Sequence, residues 1–151
     1  MRLAIAEAGK NLKRPDGGPF GACIVKGGKV IAVARNTVLS RNDATCHAEV
    51  NAIRMASRKL KDYYLSGCVI YSTTEPCPMC FSAIHWAKIE AVYFGTTISD
   101  VKKLGFDELR ISCKKMRATG KSRVKVVCGF LRQECRKLLE EWNKLENKQV
   151  Y

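Results

Sequence analysis

No stretch of 18 consecutive apolar residues occurs in this 151-residue chain, which excludes a membrane-spanning helix on length alone. Met1-Arg2-Leu3-Ala4-Ile5 leads directly into an amphipathic pattern with no small-residue cleavage site, so no secretory signal is indicated and a cytoplasmic protein is expected. Internal repeats and low-complexity linkers are also absent. One domain spanning 1–151 is therefore expected, large enough to bury a core without disulfides. Acidic residues are scarce: 14 Asp and Glu face 27 Lys and Arg, a net charge of +13. Lys114 to Lys148 alone carries 11 basic and 4 acidic residues. Such a balance attracts polyanions. Charge runs more often mark a solvated face, so a nucleic-acid partner is an open reading and not the favoured one.

Cysteine is not scarce. Six of the eight, Cys23, Cys46, Cys68, Cys113, Cys128 and Cys135, are scattered through apolar or mixed segments and read as reduced packing residues. The other two stand in Pro76-Cys77-Pro78-Met79-Cys80, downstream of His47-Ala48-Glu49. A lone Cys-x-x-Cys reads equally as a redox pair or a buried pair. Its flanking prolines and the upstream His-x-Glu select a metal instead. One imidazole and two thiolates make three zinc ligands, His47, Cys77 and Cys80. Structural zinc sites close with four, so three leave a position open for water, as an enzyme requires. Cys46 adjoins His47, but adjacent residues rarely bind one metal together.

Spacing also places these residues. Side chains at i and i+2 diverge on a helix, so His47 and Glu49 share a site only at a helix start. Asp43 and Thr45 are candidate caps, and Val50, Ile53, Ala56 and Leu60 give an apolar stripe running to about Leu60. Pro78 suits the first position of a second helix, where the macrodipole favours thiolates at Cys77 and Cys80. Two thiolates neutralise most of the zinc charge, so a neighbouring base is needed; Glu49 is the candidate.

Elsewhere, residues 2–11 read as a helix with Leu3, Ala4, Ala8 and Leu12 inward, and Pro15 to Pro19 as a loop. Phe20 to Val25 and Val30 to Ala34 flank Gly27-Gly28 as a hairpin. Cys68 to Thr73, Ile89 to Gly95 and Val124 to Phe130 read as strands, the first two joined by a helix in a parallel crossover. Leu131, Cys135, Leu138, Leu139, Trp142 and Leu145 form one face of a C-terminal helix. Residues 96–123 have the poorest periodicity and read as a functional loop. This order fits a three-layer α/β/α sandwich on a mixed five-stranded sheet.

With these residues assembled, the chain resembles the cytidine deaminase-like superfamily, whose zinc motifs H-x-E and P-C-x-x-C include a Glu that carries protons without binding metal. Within it, Gly17-Gly18-Pro19-Phe20-Gly21-Ala22, the surroundings of Trp86, Gly105-Phe106-Asp107 and the terminal Tyr151 resemble small bacterial-type guanine deaminases. The resemblance implies zinc-dependent hydrolysis of guanine to xanthine and ammonia, with a small-molecule nucleobase as partner. It implies Glu49 and Glu108 as catalytic residues. Phe20, Asn36, Ala48, Trp86, Asp107 and Tyr151 would contact substrate. It further implies a homodimer that exchanges the segment 131–151, so that Tyr151 closes the partner's site. Glu108 departs from the family's usual Asp. A tRNA adenosine deaminase, a deaminase of another nucleobase or nucleoside, and a non-catalytic zinc protein that binds nucleic acid are the alternatives.

Overall fold

The computed structural model describes all residues, 1–151. Its sheet has the strand order β2-β1-β3-β4-β5, with β1 (Gly21–Lys26), β2 (Lys29–Arg35), β3 (Cys68–Thr74), β4 (Ala91–Thr96) and β5 (Lys125–Cys128). β1 pairs antiparallel with both β2 and β3, whereas β3, β4 and β5 run parallel. The sheet is therefore mixed and five-stranded, as the element order requires.

Helix α3 (Ala48–Leu60) lies across β1 and β2. Ala48, Ala52 and Ala56, four residues apart, are fully buried against Ala22, Ala32 and Ala34. Small side chains on both surfaces let helix and sheet approach closely. The buried stripe is thus rotated from the expected one: Ala56 belongs to it, while Val50 and Ile53 lie at its margin. Helix α4 (Pro78–Trp86) opens with Pro78 in its first turn and buries Cys80, Phe81 and Ile84 beside α3.

On the other face lie α1 (Arg2–Ala8) and α7 (Arg132–Asn143). α7 buries Cys135, Leu138, Leu139 and Trp142; burying each large side chain contributes about 1.5–3 kcal/mol. α1 continues as a 3-10 turn over Gly9–Leu12, and its Leu3 is exposed, so Ala4 and Ala8 alone form its buried face. No helix is long and apolar enough to cross a membrane.

Residues 96–123 hold more order than their weak periodicity suggests. Two short helices, α5 (Ile98–Lys102) and α6 (Cys113–Thr119), begin at the side-chain caps Thr97 and Ser112. A further short helix, α2 (Val38–Arg41), follows β2. Cys128 is exposed, at the end of the edge strand, and is not a packing residue.

Candidate active site

The first turns of α3 and α4 meet beyond the C-terminal end of β3. His47 is the N-cap of α3 and Cys77 the N-cap of α4, both with extended backbone angles. Asp43 and Thr45 cap nothing: the Asp43 carboxylate accepts from the Thr45 N–H and hydroxyl in a local turn upstream. His47 Nδ1 lies 3.7 Å from Cys77 Sγ and 3.5 Å from Cys80 Sγ. Ligand atoms held tetrahedrally by one zinc ion are about 3.5–3.8 Å apart, from the usual Zn–N and Zn–S lengths. The donor set fits zinc in type and in spacing, and His47, Cys77 and Cys80 form a three-residue cluster.

The electrostatics agree. A hydrogen bond from Cys80, reinforced by His47, pulls Cys77 down to about 4 against the opposing effect of burial. Cys80, hydrogen-bonded to Cys77, buried and beside Glu49, is pushed well up in turn. Binding zinc would deprotonate the second thiol outright. Cys46 stays outside the cluster: its thiol donates to Asp43 Oδ2 at 3.3 Å and lies 3.5 Å from Arg54 Nη1.

Glu49, one residue into α3 beyond the buried Ala48, points to the same place and is only 6% exposed. Burial raises its pKa, which favours the protonated carboxyl and suits a group that takes up a proton. The Ser72 hydroxyl on β3 donates to Glu49 Oε1 at 3.0 Å, and Cys80 Sγ lies 3.5 Å from Oε2. Ser72 carries no motif signal; only its inward register on β3 marks it.

The wall of the site is built around Asn36 and Phe106. Asn36 is fully buried at the end of β2; its Oδ1 accepts from the Val38 N–H at 3.0 Å, and its amide lies near the Tyr151 hydroxyl, with Nδ2 in no well-formed hydrogen bond. The Asn11 amide donates to both the Asn36 and Gly18 carbonyls, at 2.9 and 2.8 Å, and so fixes the intervening loop. A Cβ on Gly17 would sit 2.1 Å from Asn36 Oδ1, and one on Gly18 2.5 Å from the Phe20 ring, so only glycine fits at either position. Phe106 touches three rings: Phe20 at 5.0 Å, Trp142 at 5.1 Å and Tyr151 at 5.6 Å between centroids. It ties the loop wall, α7 and the chain's last residue together.

The Tyr151 hydroxyl accepts from the Gly18 N–H at 3.1 Å. Burial pushes that hydroxyl up to about 12, against the pull of Gly18 and the nearby Asn36 amide. Glu108 is half-buried and is pushed up to about 7 by burial and by the charge of Cys77. Its neighbour Asp107 is exposed. Trp86 is not brought to the metal cluster: it closes the far end of α4, 74% exposed, because eight residues of helix, about 12 Å, separate it from Pro78.

A further clamp was not apparent from spacing. Glu75 Oε1 accepts from the Cys113 N–H at 3.0 Å and Oε2 from the Ile98 N–H at 3.3 Å, holding the starts of α5 and α6 to the metal loop. Cys113 Sγ adds a bond to the Pro76 carbonyl at 3.2 Å.

With this geometry in place, comparison with known proteins gives concordant matches. Residues 1–96 match the cytidine and deoxycytidylate deaminase zinc-binding region. The guanine deaminase of Bacillus subtilis (strain 168) is 44% identical over 108 residues, covering 72% of this chain and 69% of that protein. A tRNA-specific adenosine deaminase of Buchnera aphidicola subsp. Schizaphis graminum is 36% identical over 127 residues, covering 83% and 80%. The solved structure of a guanine deaminase from Nitrosomonas europaea superposes with a TM-score of 0.87 at 29% identity, covering 95% of this chain and 82% of that one.

Proposed function

The chain belongs to the cytidine and deoxycytidylate deaminase zinc-binding family, and we propose that within it this protein hydrolyses the exocyclic amine of free guanine, giving xanthine and ammonia. The observation that carries this reading is the seating of Tyr151 against Gly18 and Phe106. A chain terminus placed on the pocket wall suits a substrate small enough to be closed over. The Asn36 amide, with Nδ2 in no well-formed hydrogen bond, is suited to reading a purine edge, and Phe20 to lying against its ring.

His47, Cys77 and Cys80 would hold zinc, which when bound would supply the Lewis acidity needed to make water a nucleophile near neutral pH. Glu49 takes a proton from the attacking water as its oxygen adds to the amine-bearing carbon. The carboxyl passes that proton to the ring nitrogen, then takes the proton of the adduct's new hydroxyl and passes it to the departing amine, so that ammonia leaves as the C–N bond breaks and the carbonyl forms. Ser72 keeps the Glu49 carboxyl oriented. Glu108, protonated in part near neutral pH, is a second proton carrier at the pocket edge. In a homodimer with exchanged tails, the partner would supply Tyr151 through the same contacts.

Xanthine formation from guanine by zinc-loaded protein, measured against guanosine, adenine, cytosine and cytidine, tests the proposal. Preferred turnover of guanine supports it; preferred turnover of a pyrimidine or nucleoside overturns it. The second reading is adenosine deamination in tRNA, favoured by the Buchnera relative and the basic segment from Lys114 to Lys148.

A further inference from the structure

The end of the sheet opposite the metal site carries a second concave surface. The metal ligand Cys77 follows β3 at its C-terminal end, whereas residues 64–66, 88–90 and 121–124 precede the parallel strands β3, β4 and β5. Seven residues of strand, about 20 Å, separate the two ends. Tyr64, His85, Lys88, Glu90, Lys121 and Arg123 line a cavity there of about 430 Å³. That is within the usual range for small-molecule sites, about 300–1,000 Å³.

Its charge is lopsided. Lys88, Lys121 and Arg123 belong to none of the protein's ion pairs. The one carboxylate in the lining, Glu90, accepts from the Gly67 N–H at 3.0 Å. Three cations beside one carboxylate favour an anion.

Lys88 and Lys121 both follow a helix C-terminus in left-handed conformations, with φ of 58° and 49°, in turns closed by the Ile89 N–H on the Ile84 carbonyl and the Ser122 N–H on the Arg117 carbonyl. Both turns border the same cavity. A 2.9 Å hydrogen bond between His85 Nδ1 and Ser122 Oγ joins the two turns, so the cations are held on one frame. One exposed ring, Tyr64, belongs to the lining, while Trp86 stands outside it with Lys88 Nζ 5.7 Å from its centre.

We propose that this cavity is a second ligand site that binds the phosphate of a nucleotide through Lys88, Lys121 and Arg123, with its base against Tyr64. Cations in a concavity bordered by a flat aromatic face match a phosphate joined to a base. The same chemistry is offered by a free nucleotide and by a nucleotide within single-stranded RNA.

Calorimetric titration of zinc-loaded, full-length protein at low salt with GMP, and separately with an eight-nucleotide single-stranded RNA, separates the sources. Binding of GMP assigns the site to free nucleotides, and binding of RNA alone assigns it to the polymer. Lys88→Gly combined with Lys121→Gly removes two charges while keeping the left-handed backbone. It should weaken binding at least about tenfold, leave the melting temperature unchanged or higher, and leave nucleobase turnover intact. With RNA, the slope of log affinity against log salt should shrink by about 1.4, at roughly 0.7 per lost phosphate contact. Arg123→Ala, on an exposed side chain, should weaken binding without either backbone change. Glu49→Gln should bind as the parent does. Failure of both GMP and RNA to bind, or equal binding by the parent and these cavity variants, would overturn the proposal.

Discussion

Ser72 and Glu49 meet across the boundary between β3 and α3, the serine hydroxyl donating to Glu49 Oε1 at 3.0 Å inside the core. A hydrogen bond to an ionisable group contributes about 1.5–3 kcal/mol. Ser72→Ala should therefore lower kcat about tenfold or more, with zinc content and KM little changed. Unaltered kcat would show that Glu49 is oriented without it.

In the proposed mechanism Glu49 carries protons and does not bind the metal. Glu49→Gln should retain one zinc per chain while losing about 10² to 10⁴ in activity, the range for general acid–base catalysis. Metal analysis alongside turnover checks both halves. Retained turnover would assign the proton transfers to another group, Glu108 first.

Metal content should depend on three residues only. Cys80→Ala or His47→Ala should release zinc and abolish activity, while Cys46→Ala should retain both, because the Cys46 thiol bonds to Asp43 outside the cluster. Loss of zinc from Cys46→Ala would add a fourth ligand and close the site to water.

Glu75→Ala should leave the Cys113 and Ile98 N–H groups without their acceptor. Each unsatisfied buried group costs about 1–3 kcal/mol. Thermal unfolding should show a lowered Tm, and hydrogen exchange should rise first in α5 and α6. Uniform exchange across the chain would show that Glu75 is not a clamp on that segment.

Removing residues 147–151 should impair turnover more than folding, because α7 still buries Leu138, Leu139 and Trp142. If tails are exchanged, mixing Glu49→Gln chains with truncated chains restores some activity, since one mixed site gains both an intact Glu49 and an intact tail. Full activity of the truncated protein would make Tyr151 a loose end.

Much of this site was legible in the sequence because metal chemistry constrains residue type and spacing together. His47, Glu49, Cys77, Pro78 and Cys80 fall where a helix start demands. The C-terminal helix was equally readable, since its apolar period is unbroken. What escaped was set by tertiary contact. Ser72 and Glu75 act through partners 23 to 38 residues away, and Phe106 matters for the rings around it. The short helices α5 and α6 bury few residues of their own and are fixed by caps and by Glu75, which hydrophobic periodicity does not report. Trp86 shows the converse: a residue that the family resemblance marks, whose place on the far turn of α4 only the fold reveals.

The most direct measurement of the central claim is kcat/KM for guanine set beside that for an adenosine-containing anticodon hairpin, with the same zinc-loaded protein at the same salt. Guanine should be converted to xanthine in a reaction abolished by Glu49→Gln, with little or no inosine in the hairpin. Efficient inosine formation with no xanthine would contradict it and make the protein a tRNA adenosine deaminase.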